Sequence, residues 1–86
     1  MKDELVDLHE HLRATAERPV ERTASRWLGE AEAVAADLAT SDLDDTVVEE
    51  RLEAIEHLLE AVDTTGDAAA DEHVEGARAI VSRLLG

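Results

Sequence analysis

Cysteine, phenylalanine, tyrosine, asparagine and glutamine are absent from this 86-residue chain, and lysine, proline, methionine and tryptophan occur once each. Without cysteine there can be no disulfide framework, thiolate metal site or cysteine nucleophile. No apolar run approaches the roughly 20 residues that span a bilayer, so no membrane anchor is expected. The opening Met1-Lys2-Asp3-Glu4 lacks the basic and apolar stretches of a secretory signal. Together these absences point to a cytoplasmic protein. The length leaves room for one domain, residues 1–86, with one modest core.

What the chain does have is acid. Asp and Glu number 22 against 8 Lys and Arg, a formal net charge of −14. High charge with few aromatics can signal disorder, but 44% of the residues are hydrophobic and they recur regularly, which argues for a folded chain. The charge instead suits a cytoplasm of molar salt. There the Debye length shrinks to about 3 Å and repulsion among carboxylates is largely screened. A halophilic setting of this kind makes acidity an adaptation to solvent and a poor guide to partners.

Sparse punctuation divides the chain into four helical segments. In the first, about Asp3–Glu17, Leu5, Leu8 and Leu12 share one face, with Asp3 as a candidate N-cap. Pro19 suits the first turn of the second segment, about Pro19–Ala39, where Val20, Ala24, Trp27, Ala31, Val34 and Leu38 form a heptad stripe. Thr46 and Glu49 offer a capping box to the third, with Asp42, Asp44 and Asp45 as alternative caps. Its stripe is Val48, Leu52, Ile55, Leu59 and Val62. Gly66 is a candidate helix stop and Asp67 a cap for the fourth segment, striped by Ala70, Val74, Ala77, Val81 and Leu84. No stretch alternates with period two. The predicted fold is all-α: an antiparallel three-helix bundle with an additional N-terminal helix that either folds back or pairs with a second chain.

Two features of the second segment are candidates for function. Arg18, Arg22 and Arg26 recur at i, i+4 and i+8 beside Trp27, a basic island in an acidic chain. The structural alternative is that these arginines pair with carboxylates such as Glu30 and that Trp27 fills the core. The functional one is a patch for an acidic or phosphorylated ligand, read by arginine's planar fork. Roughly opposite Trp27 on the helix, Ser25, Gly29, Ala33 and Ala36 make a row of small residues, either covered by the first helix or free as a self-association seam.

The stretches RWLGEAEAVA (26–35) and VDTTGDAAADEHVEGARA (62–79) resemble small acidic proteins of unknown function from salt-loving archaea. That resemblance spans most of the chain and implies no catalytic motif, so it assigns no residue a role.

Signals for chemistry are thin. The serines stand in no nucleophile elbow and there is no glycine-rich phosphate loop. His57 and His73 are equidistant from Thr65, but their faces disagree; His9 and His11 splay apart; positions 54 and 70, where a Glu-x-x-His ligand motif would need carboxylates, are Ala. No metal, cofactor or catalytic residue is therefore assigned. Nucleic acid is disfavoured by the acidic surface and the lack of aromatic platforms, and a membrane surface by the acidic polar faces. The expected role is non-enzymatic: a protein–protein interaction or scaffolding module with an unknown protein or itself, as a homodimer. The alternative is a ligand-sensing module built on Arg18, Arg22, Arg26 and Trp27.

Overall fold

The structure is a computed structural model that describes residues 2–86. The described residues form four helices and no strand: α1 (Lys2–Thr15), α2 (Arg22–Thr40), α3 (Asp45–Glu60) and α4 (Ala68–Leu85). α1 packs on α2 and α4, and α3 packs on the same two. The Cα radius of gyration, 11.8 Å, matches the roughly 12 Å of a compact chain this long.

The leucine stripe of α1 changes the expected architecture. Leu5, Leu8 and Leu12 are buried as deeply as Leu52, Ile55 and Leu59 of α3. The N-terminal helix thus contributes to the same buried core, packed on α2 and α4. It folds back onto its own chain. The physical reason is burial: each leucine taken from water contributes about 1.5–3 kcal/mol, and a core this small needs all three. Contacts at the helix ends fix the arrangement. Lys2 Nζ donates to the carbonyls of Ser41 at 2.9 Å and Leu38 at 3.4 Å, at the end of α2. Arg83 Nε donates to Glu4 Oε2 at 3.1 Å, joining the end of α4 to the start of α1.

With α1 in place, α2 turns. Its buried face is Ala24, Leu28, Ala31, Ala35 and Leu38; Ala24, Ala31 and Leu38 belong to the predicted stripe, and the face as a whole is turned from it by about 40° at 100° per residue. Leu28 and Ala35 take the central places given to Trp27 and Val34, which pack at the core's edge. The stripes of α3 and α4 stand largely as predicted: Val48, Leu52, Ile55, Leu59 and Val62 are buried, as are Ala70, Val74, Ala77 and Val81, joined by Ile80.

The helix ends depart from prediction in instructive ways. α2 begins at Arg22, three residues after Pro19, because Val20 N–H turns back to the Arg18 carbonyl at 2.8 Å and Glu21, at φ −59° and ψ 149°, donates its N–H to the Thr65 carbonyl at 2.8 Å. Thr46 lies inside α3, so the Thr46–Glu49 capping box does not form; Asp44 is the flanking residue, and its carbonyl accepts from Val48 N–H. Gly66 does not stop α3, which ends at Glu60 with Ala61 as its C-cap. It serves the following loop instead, at a φ of 82°, where an L side chain is strained. Asp67 caps α4 as expected, accepting from Ala70 N–H at 3.0 Å.

Candidate functional site

Most basic side chains are occupied by the fold. Arg18 donates through Nε and Nη2 to the two carboxylate oxygens of Asp67, at 2.9 and 3.2 Å. Arg78 Nη2 donates to the Leu59 and Val62 carbonyls at 2.7 and 2.6 Å, placing a cation at the negative end of the α3 dipole. Arg51 and Arg83 face Asp37 and Glu4. Among the described residues Arg13, Arg22 and Arg26 make no ion pair, and Glu30 does not reach Arg26.

The basic island therefore divides. Arg18 lies outside α2, so the three arginines do not align along one helix. Arg22 and Arg26 remain exposed on the first two turns of α2. The Arg26 guanidinium stands 5.5 Å from the centre of the Trp27 ring, a cation–π distance. Trp27 is half-buried: one side closes the core, the other underlies Arg26.

Arg22 and Arg26 border the row of small residues. At about 100° per residue, Arg22, Arg26, Gly29, Ala33 and Ala36 fall on one sector of α2, with Ser25 at its margin. Ser25, Gly29 and Ala33 are exposed, Ala36 is half-buried, and the space a Gly29 side chain would take is open for 4 Å. α1 leaves this sector uncovered. Ser25 at its margin and Gly29 within it border a cleft of about 60 Å³ shared with Leu12, Thr15 and Glu32. No carboxylate falls within the sector. Glu30 and Asp37 flank it on one side and Glu32 on the other.

A second cluster locks the loops at one end. Thr65 is fully buried. Its N–H and hydroxyl both donate to Asp71 Oδ1 at 2.8 Å, its hydroxyl accepts from Asp67 N–H at 3.1 Å, and its carbonyl receives Glu21 N–H. These bonds from Thr65, the backbone one foremost, hold the Asp71 carboxyl below its ordinary pKa. Asp67 is lowered first by the bond from Arg18, then by that from Ala70 N–H, and Arg18 is raised in turn by the bond from Asp67. The role of this cluster is to tie the α1–α2 junction to the α3–α4 loop.

The histidines pair otherwise than their spacing from Thr65 suggests. His57 is exposed on α3, whereas His73 meets His11 of α1, with Nδ1 atoms 3.1 Å apart. His9 Nε2 lies 3.4 Å from Glu32. Among the described residues no three His, Asp or Glu side chains converge closely enough to hold a metal by themselves, and no helix is long and apolar enough to cross a membrane.

No curated protein and no solved structure matches this chain. Residues 4–86 match one protein family along nearly their whole length, and the chain belongs to it: the domain of unknown function DUF8152.

Proposed function

We propose that this protein is a non-enzymatic interaction or scaffolding module of a salt-adapted cytoplasm, and that its contact surface is the outer sector of α2. Its frame is an up-down-up-down antiparallel four-helix bundle. Supporting that frame, Lys2 meets the end of α2, Glu4 the end of α4, and Asp37 late in α2 meets Arg51 early in α3.

One observation carries the choice of surface. In a chain of net charge −14, one exposed sector of α2 has no carboxylate, two arginines without ion pairs, and side chains small enough for another helix to approach closely. The sector is also polarised along its length. Arg22 and Arg26 stand near its start, and Asp37, which faces Arg51 of its own chain at 3.8 Å, flanks its end. A second copy laid antiparallel across Gly29 and Ala33 would set those arginines against the opposite acidic end, and the pairing repeats under a two-fold axis. That self-complementarity makes a second copy of this chain the partner. A pocket for an acidic small molecule is the weaker reading, because Arg18 is committed to Asp67.

Light scattering in molar KCl tests this. The wild type is expected at twice the 9.3 kDa chain mass, and Ala33→Glu at one chain mass with unchanged helicity. A wild type at one chain mass, or an Ala33→Glu variant still at two, refutes the surface.

A further inference from the structure

His11 and His73 come from opposite ends of the sequence, and neither packs into the main core. Both are half-buried, their ring centroids lie 5.3 Å apart, and the planes are tilted by 52°. At an Nδ1–Nδ1 distance of 3.1 Å one imidazole must donate N–H and the other accept. The pair lines an open surface cleft of about 240 Å³ together with the exposed Asp7 and Glu10. Gly76, one turn beyond His73 on α4, makes the room. A Cβ there would stand 2.9 Å from His11 Cε1, 3.0 Å from Nε2 and 3.2 Å from Nδ1. A glycine inside a helix costs roughly 0.5–1 kcal/mol relative to alanine. At this position it lets the nitrogen-bearing edge of His11 lie against α4.

We propose that His11 and His73 are a two-imidazole site for a divalent first-row transition ion of the zinc type, bound through both Nδ1 atoms. Two nitrogens held about 2.0–2.1 Å from one zinc ion, at angles near tetrahedral, stand about 3.3 Å apart. The observed separation is close to that, but with ring centroids 5.3 Å apart the two Nδ1 atoms point almost straight at each other, so both rings swing toward the cleft before their lone pairs converge on one ion. Each neutral imidazole keeps its single proton, which resides on Nε2 once Nδ1 takes the metal. Imidazole favours zinc, nickel and copper over magnesium and calcium. Water completes the coordination, and the Asp7 and Glu10 carboxylates contribute negative potential to the same cleft. With two protein donors the site binds more weakly than a closed four-ligand structural site. Its consequence is mechanical: the ion fastens the first helix to the last.

Thermal unfolding of the full chain in molar KCl tests the site, with zinc chloride, with magnesium chloride at equal concentration, and with zinc plus EDTA. A ligand of the folded state keeps raising stability as its concentration exceeds Kd. Zinc is therefore expected to raise the midpoint progressively, EDTA to reverse the rise, and magnesium to leave the midpoint where potassium sets it. His11→Gln and His73→Gln should each abolish the response, whereas His57→Gln, at an exposed position on α3, should keep it. Gly76→Ala retains both histidines but displaces the His11 ring, and should blunt it. Imidazole nitrogen NMR of the wild type supplies a readout that needs no variant: zinc should shift both Nδ1 resonances of His11 and His73. A wild-type midpoint indifferent to zinc, an equal rise with magnesium, or a response that survives His73→Gln overturns the proposal, as do Nδ1 resonances unmoved by zinc.

Discussion

Single residues decide how the helix ends are held, and here the sequence was only partly legible. Asp67 as a cap follows from its place before an alanine run, and it accepts from Ala70 N–H. Asp71 gives no such signal. It lies within the first turn of α4 and reaches back six residues to Thr65, a threonine fully buried in the loop before the helix. Arg78 is equally silent, since its acceptors are carbonyls at the end of α3 and just beyond it. The lowered pKa values of Asp67 and Asp71 make a prediction with a definite sign. A carboxyl whose folded pKa lies below its unfolded value, near 3.9 for aspartate, stabilises the fold above that value and loses the contribution as pH falls through the folded one. The unfolding midpoint should therefore fall on acidification below about pH 4. Asp71→Asn should lower the midpoint at neutral pH and flatten that acid limb. A variant with the wild-type acid profile would show that the Thr65–Asp71 bonds do not form in solution.

At the scale of elements, existence and type were readable while rotation was not. Three leucines at helical spacing announce α1, and the stripes of α3 and α4 name their buried residues almost completely. α2 is the exception. Its sequence offers two overlapping stripes, one through Trp27 and Val34 and one through Leu28 and Ala35, and either satisfies helical periodicity. The choice depends on how many helices surround it. α2 packs against α1 and α3. Once α1 occupies its place, the second faces both neighbours. The His11–His73 meeting was hidden for the same reason, because only the packing of α1 on α4 brings the two rings together. If α1 is a wall of the core, Leu8→Ala should destabilise by about 2–5 kcal/mol, as Ile55→Ala should. Urea unfolding in molar KCl reads both. A near-neutral Leu8→Ala beside a costly Ile55→Ala would return α1 to the status of an appendage.

For the molecule as a whole, charge outweighs any local pair. Five ion pairs link the described side chains, one of them involving a histidine, and exposed pairs contribute only about 0–1 kcal/mol each. They cannot offset a net −14 in dilute buffer. Screening can, so the unfolding midpoint should climb steadily from low salt to molar KCl. Equal midpoints at the two extremes would remove the case for salt adaptation. The same surplus of acid gives the outer sector of α2 its meaning, because a carboxylate-free strip is where two such molecules can touch without mutual repulsion.

The natural absence of cysteine permits a direct test of that contact. Ala33→Cys places one thiol at the centre of the proposed two-fold pairing, and Ala54→Cys places one on the exposed face of α3 as a control. Under mild oxidation in molar KCl, the account predicts rapid and nearly complete disulfide-linked dimer for Ala33→Cys and little for Ala54→Cys. Equal, slow cross-linking of the two would contradict it.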